Sequence, residues 1–291
     1  MSILVTGSTG RIGTEVINQL AQSGADVRAL TRAPEKARFP HSVTAVKGDL
    51  LDADAMRDAL PGVDTLFLLV SNSADELTQA INTLGLAREA GVRGIVYLSV
   101  THSAQFTDVS HFIGKHAVEM MIEQLDLPAT VLRPSYFFQN DAGLKDPLQQ
   151  AGLYVSPVGN KGVSMVDVRD IADAAVIELL RRERATSPLP RETYELSGPD
   201  ALTGPALADL WAQVLQRDIR YAGDDLDSFE QAVKARSPSW MAYDMRAMMR
   251  RYQQDGAVAS DQDLTRLTGL LGRAPRTYRA FAEETARQWQ A

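Results

Sequence analysis

The stretch SILVTGSTGRIGTEV, residues 2–16, decides how the rest of the chain is read. An apolar run, Ile3, Leu4 and Val5, leads into glycines at 7, 10 and 13. Ile12, Val16, Ile17 and Leu20 then share one helical face. A strand that turns sharply into a helix brings backbone N–H groups toward an anionic group, and a Cβ at the turn would block that approach. Glycine meets this need at all three positions. The spacing is G-x-x-G-x-x-G and not the commoner G-x-G-x-x-G, so the strand before and the amphipathic helix after carry as much weight as the motif. Together they imply a nucleotide held by Gly7, Thr9, Gly10, Arg11, Ile12 and Gly13.

The alternation continues through the first half of the chain. β-rich runs at 3–6, 27–30, 43–46, 66–70, 95–99 and 129–132 alternate with helical patterns, as a parallel sheet requires. The run LFLLV at 66–70 is apolar without a break, which fits burial by helices on both faces. Gly24 and Gly91 stand where helices should end. The expected fold class is α/β, a Rossmann-type doubly wound parallel sheet within residues 1–150. A strand and helix at 163–182, the helix from about Val168, return to it. Residues 151–291 are expected to form a smaller, mainly helical substrate-side domain over the carboxyl edge of the sheet, where such sheets bind ligands. In it, Thr203 can cap a helix holding Leu207, Leu210, Trp211, Val214 and Leu215, and a second helix spans 240–252.

Composition narrows the function. Of the 291 residues, 45% are apolar and 23% charged, ordinary globular values. The net charge of -7 and the scattered Lys and Arg argue against a nucleic-acid surface. With no cysteine and four scattered histidines, thiol chemistry and a metal centre are not expected, so redox chemistry would need a bound coenzyme. No leader pattern and no apolar run of membrane-spanning length is seen, and a cytoplasmic protein is expected.

The second run, VRAL, ends at Thr31 and Arg32, where NAD-selective sheets carry an acid for the ribose hydroxyls. Arg32 offers a guanidinium fork suited to a 2′-phosphate and Arg11 a second cation, which favours NADP(H) over NAD(H); the alternative is that both are solvated surface residues. Asp49, in VKGDLLD, either accepts from the adenine amino group while Leu50 packs on the ring, or caps the helix beginning near Asp52. Leu69, Val70 and Ser71, and then Leu98 and Ser99, close the fourth and fifth runs and should border the same cleft. His111 and Lys115, four apart, share a helical face.

These features resemble the short-chain dehydrogenase/reductase superfamily, whose pattern is Tyr-x-x-x-Lys with an upstream Ser. His111 stands at the Tyr position, Lys115 at the Lys and Ser99 near the Ser; none of the eight tyrosines has a lysine four residues on. GSTGRIG, VRALTRAPEKA, KGDL, LRPSYFFQN at 132–140 and VDVRDIADAA resemble the NmrA-like, atypical branch. The tail DLTRLTGLLGRAPRTYRAF is similar to those of its triphenylmethane reductase and NADPH-quinone reductase members. The resemblance implies that Lys115 contacts the nicotinamide ribose and that Pro134, Tyr136, Phe137 and Phe138 lie along the nicotinamide, although Phe137 and Phe138 could equally be core aromatics. His111 is either a proton donor or a surface residue at a helix start. SPSWMAYDMRAMMRRYQ carries Trp240, Tyr243 and a methionine stripe, either a pocket with Phe138 for a flat aromatic substrate or core.

Three functions follow as expectations. The first is an NADPH-dependent reductase passing hydride to a small electron-poor aromatic such as a quinone. The second is a non-catalytic NADP(H)-binding redox sensor with a regulatory protein partner. The third is a tailoring enzyme of aromatic polyketide biosynthesis. Monomer and homodimer both stay open.

Overall fold

β1 (Ser2–Val5) is the axis of the sheet: every one of its residues is buried, and it pairs in parallel with β2 (Asp26–Thr31) on one side and β4 (Val63–Leu68) on the other. The computed structural model describes residues 2–290. β3 (Val43–Lys47) extends the sheet beyond β2, and β5 (Gly94–Leu98), β6 (Ala129–Pro134) and β8 (Glu192–Leu196) extend it beyond β4, giving the order β3-β2-β1-β4-β5-β6-β8. The order reverses at β1, so the carboxyl ends of β1 and β4 open the crevice in which doubly wound sheets take ligands. The crossovers are α1 (Arg11–Gln22), α2 (Ala53–Ala59), α3 (Glu76–Glu89), α4 (Ser110–Gln124) and α5 (Val168–Glu183). Gly24 and Gly91 end α1 and α3 with φ of +77° each.

The chain folds as two compact units that interleave along the sequence and do not meet at one cut near residue 150. The first runs to Val100 and adds Gly114–Arg133 and Ile171–Tyr194; the second takes Thr101–Ile113, Pro134–Asp170 and the chain from Glu195 on. In the first, Leu4, Leu66, Leu68, Ile95 and Val131 of the sheet pack with Leu84 and Ala87 of α3 and Val118 and Ile122 of α4. The strands are apolar on both faces because helices cover both.

Two elements differ from the sequence reading. The strand expected just before Val168 is reduced to isolated bridges at Val163 and Val166, although α5 begins where expected. The seventh strand is instead ETYEL, β8. It is half-buried for most of its length and carries two glutamates, Glu192 and Glu195, so it lacks the apolar run that marks the inner strands.

The second unit is built on α6 (Gly204–Leu215), α7 (Leu226–Lys234), α8 (Ser239–Gln254), α9 (Asp261–Leu271) and α10 (Tyr278–Gln290), with a two-residue parallel pair, β7 (Leu153–Tyr154) and β9 (Arg220–Tyr221). Thr203 caps α6 by accepting from the Ala206 amide. Trp211 stacks on Trp289 at 5.1 Å and donates its indole N–H to the Tyr278 hydroxyl at 3.0 Å. Among the described residues, no helix is long and apolar enough to cross a membrane.

Asp141 lies fully buried in this unit, accepting from the hydroxyls of Tyr154, at 2.8 Å, and Tyr278. Burial pushes its carboxyl up to about 6, against the hydroxyls of Tyr278, Tyr154 and Ser156, which pull it down. The folded state therefore holds this proton more tightly than the unfolded chain. The resulting stabilisation is complete below the unfolded value near 3.8 and is lost as pH rises through 6. It amounts to about 3 kcal/mol. Wild type should therefore gain stability relative to Asp141→Asn between pH 8 and pH 4 in urea titrations. Parallel pH profiles for the two proteins would exclude this.

Candidate dinucleotide site

The turn after β1 is held from three sides. Thr6 Oγ1 donates to the Leu69 carbonyl at 2.8 Å and accepts from the Leu69 amide at 2.9 Å, fixing the turn to the end of β4. Ser8 Oγ donates to the Leu30 carbonyl at 2.6 Å, fixing it to β2. Within the turn, the Gly10 amide donates to the Gly7 carbonyl at 3.0 Å. Gly7 has φ of +58°, and a Cβ there would lie 2.1 Å from Leu69 Cδ2; a Cβ on Gly13 would lie 2.2 Å from the Gly7 carbonyl oxygen. Gly10 caps α1 without a side chain, and no acid lies in the first turn. The helix N-terminus thus keeps amide donors and a positive end for an anion.

A cleft of about 620 Å³ opens beside this turn within the first unit. Of the residues singled out from sequence, Gly7, Thr9, Arg32, Asp49, Leu50, Leu69 and Ser71 line it. Gly10, Arg11, Ile12 and Gly13 do not: Ile12 and Gly13 are buried behind the turn, and Arg11 is the exposed first residue of α1. Val70 and Leu98 are buried and also do not line the cleft. Asp49 accepts from the Leu51 amide at 3.0 Å, whereas the cap of α2 is Asp52, which accepts from the amides of Asp54 and Ala55. Sequence reading missed Lys36, four residues after Arg32 in the same wall, a spacing that could have revealed it. It also missed Ser73, Asp75 and Gln79, where hydrogen bonds from Ser73 and Gln79 hold the Asp75 carboxyl below its ordinary range.

Lys115 and Ser99 are each engaged by a carboxylate. Lys115 Nζ donates to Glu76 Oε1 at the start of α3, and the other oxygen, Oε2, is buried without a hydrogen-bond partner. Ser99 is buried and donates to Glu119, which also accepts from Arg133 Nε at 3.0 Å and Nη2 at 2.6 Å. Tyr97 is buried in the same unit, and its hydroxyl is pushed well up, first by burial and then by the charges of Glu76 and Glu119. Glu119 sits four residues after Lys115 and was within reach of a helical reading; nothing local marks Glu76.

In the second unit, His111 meets Asp244 of α8: Nδ1 contacts Oδ2, and the His111 amide donates to Oδ1 at 3.3 Å. Pro134 is buried at the end of β6, its carbonyl accepting from the Thr101 amide at 3.0 Å. Tyr136 packs edge-on to Tyr252 at 6.1 Å, and its hydroxyl is driven up, chiefly by burial. Phe137 is half-buried and bridges to Val166 through its backbone. Phe138 is 1% exposed, enclosed by Tyr278 at 5.2 Å and Phe281 at 5.7 Å, which is the core reading of that ring. On α8, Met248 and Met249 are core, whereas Trp240 and Tyr243 are 36% and 58% exposed. Tertiary packing splits that stripe: Met248 and Met249 turn inward, and Trp240 and Tyr243 do not.

Known proteins resemble this chain along its whole length. The (4-alkanoyl-5-oxo-2,5-dihydrofuran-3-yl)methyl phosphate reductase of Streptomyces griseus is 32% identical over 287 residues, covering 98% of each chain. The NAD(P)H azoreductase of Xenophilus azovorans is 27% identical over 289 residues, again covering 98% of each. The fold is that of the NADPH-dependent quinone oxidoreductase of Escherichia coli solved with NADPH, at TM-score 0.85 and 23% identity, covering 97% of this chain and 99% of that one. Triphenylmethane reductase of Citrobacter sp. has the same fold, at TM-score 0.84 and 22% identity, covering 99% and 100%. The NmrA-like family pattern matches residues 1–277, and with that match and a full-length relative at 32% identity, the chain belongs to the NmrA-like family.

Proposed function

We propose that this protein is an NADPH-dependent reductase of small, electron-poor conjugated acceptors such as quinones. The observation that carries the proposal is the cleft of the first unit: a turn in which Gly7 and Gly13 leave no room for a Cβ, beside Arg32 at the end of β2 and Lys36 in the same wall. The two relatives described above are both reductases by name, one of an oxo-dihydrofuran phosphate and the other an azoreductase, which supports the reaction class.

The residues present fit the coenzyme. Backbone amides of the turn that leads into α1 would hold the pyrophosphate, Arg32 with Lys36 the 2′-phosphate, and Asp49 and Leu50 the adenine. In the first unit, Lys115 would hold the nicotinamide ribose. Bound there, the reduced nicotinamide supplies a hydride. An acceptor that delocalises the incoming charge leaves the chain to orient two rings, exclude water and deliver a proton. This is how the family position at His111 can do without a tyrosine.

Oxidation of NADPH with matched reduction of a quinone or azo acceptor is the expected result in a panel assay; no acceptor consumed by folded protein would overturn the reading. Arg32→Asp should weaken NADPH by roughly 10- to 100-fold, the worth of a charge-assisted contact, while sparing NADH. An unchanged NADPH/NADH preference would remove Arg32 from the phosphate site.

A further inference from the structure

We infer that Asp244 is the positioning residue for His111, fixing its tautomer so that Nε2 is the atom that hands a proton to the acceptor; this rests on the reductase reading above. The two residues lie 133 positions apart, His111 in the first turn of α4 and Asp244 in the middle of α8. Both oxygens of Asp244 go to the same partner, Oδ1 to the His111 amide at 3.3 Å and Oδ2 to Nδ1. Among the described residues, His111 is the only group that hydrogen-bonds this carboxylate. The Asp244 side chain is 2% exposed and that of His111 11%. Phe112 closes one side of the imidazole edge-on, with centroids 4.6 Å apart.

A carboxylate on the buried face of α8, beside Ala242, Ala247 and Met248, is a costly choice for stability alone. Buried ion pairs rarely outperform an apolar residue of the same volume. What the pair does accomplish is orientation. With a carboxylate at Nδ1, that nitrogen keeps its proton in both charge states of the ring, and only Nε2 gains or loses one. The second contact, to the backbone amide, fixes the carboxylate relative to the helix that carries the ring. Lys115 follows one helical turn later on the same α4.

In the reducing step the acceptor takes up hydride from the reduced nicotinamide, and the electron pair of its π bond moves to its oxygen or nitrogen. The Nε2–H bond of the imidazolium breaks, and that proton goes to the newly anionic atom. His111 is left neutral, still donating Nδ1–H to Asp244, and regains its proton from solvent.

Asp244→Asn tests this with little change of shape. The amide can still accept from the backbone, but its NH2 faces Nδ1 and forces the proton onto Nε2. Side-chain 15N NMR in alkaline buffer, with His111→Gln to assign one of the four histidines, should find Nδ1 protonated in wild type and Nε2 protonated in Asp244→Asn. This readout needs neither coenzyme nor turnover. Kinetically, a quinone needs a proton with its hydride, whereas a carbocationic triarylmethane dye is neutralised by hydride alone. Both Asp244→Asn and His111→Gln should lower the ratio of quinone to dye turnover by roughly 100-fold, the usual worth of a general acid. The same tautomer in both proteins, or an unchanged ratio, overturns the inference. Wild type that reduces neither acceptor instead sinks the reductase reading and the proton-donor role with it, while the NMR still decides whether Asp244 sets the tautomer.

Discussion

Gly13→Ala should abolish measurable NADPH binding and lower stability by about 3 kcal/mol, although alanine is ordinarily the better helix former by about 1 kcal/mol. The expected sign reversal comes from the neighbours. The added Cβ would lie 2.2 Å from the Gly7 carbonyl oxygen, 2.8 Å from the Gly7 carbonyl carbon and 3.0 Å from Ser8 Cα. All three are backbone, so no rotamer change relieves the clash; the turn itself must open. Opening it pulls against the Ser8 bond to Leu30 and the Thr6 bonds to Leu69, which set the amides of the cradle. The displaced amides no longer converge on the pyrophosphate, and losing about 3 kcal/mol of binding energy there would lower affinity more than 100-fold. Gly10→Ala is the contrasting variant. Its Cβ would meet only the Gly7 carbonyl oxygen, at 3.2 Å, so its melting should stay within ~0.5 kcal/mol of wild type while the exposed methyl impedes the approach of the pyrophosphate. Calorimetry with NADPH and thermal melts of both variants check this. A Gly13→Ala protein that melts and binds like wild type would show that the cradle does not depend on a bare glycine there.

The second large effect is expected in the other unit. Asp170→Ala should cost about 3 kcal/mol, a fall in Tm of roughly 6–10 °C. Asp170 is fully buried in the first turn of α5, with Oδ1 accepting from Arg273 Nη2 at 2.6 Å and from Arg276 Nη1, and Oδ2 from the Arg276 amide at 2.7 Å. One carboxylate thus ties the start of α5 to the connection between α9 and α10. Alanine would leave two guanidinium groups and a backbone amide without this acceptor. The arginine side chains are 38% and 32% exposed, so water relieves part of the loss, which puts the cost at the low end for a broken buried pair. By the same asymmetry, Arg273→Ala should cost only about 1 kcal/mol, because Arg276 and its amide still hold the carboxylate. Urea titrations of both variants give the comparison. Equal losses would mean that the buried carboxylate matters no more to the fold than one of its two arginines.

Much of the cleft was legible because it is made of local signals. Gly7, Thr9, Arg32, Asp49, Leu50, Leu69 and Ser71 all stand at or just beyond the carboxyl ends of strands, and each strand announces itself by an apolar run. Parallel topology then puts all those ends on one edge without further information. Position relative to a strand is enough to recruit such residues. It does not reveal which residues a recruited side chain touches. Sequence alone leaves Ser99 and Lys115 free to serve a cofactor, and the folded chain gives them Glu119 and Glu76 as partners. Phe138 and Trp240 carry the same pocket expectation, yet one is enclosed by Tyr278 and Phe281 and the other is exposed on α8. A period-3.6 stripe marks a helical face but does not say what covers it.

The sequence by itself determined the parallel sheet, the glycine turn and the cationic end of β2. These rest on backbone sterics and on the burial of apolar runs, which act over a few residues. Only the tertiary structure decided the pairings Lys115 with Glu76, His111 with Asp244 and Asp170 with Arg273 and Arg276, and the recruitment of ETYEL as the seventh strand. A charged group shows its cost only when it is buried, and its partner then comes from wherever packing brings one, 39 or 133 residues away.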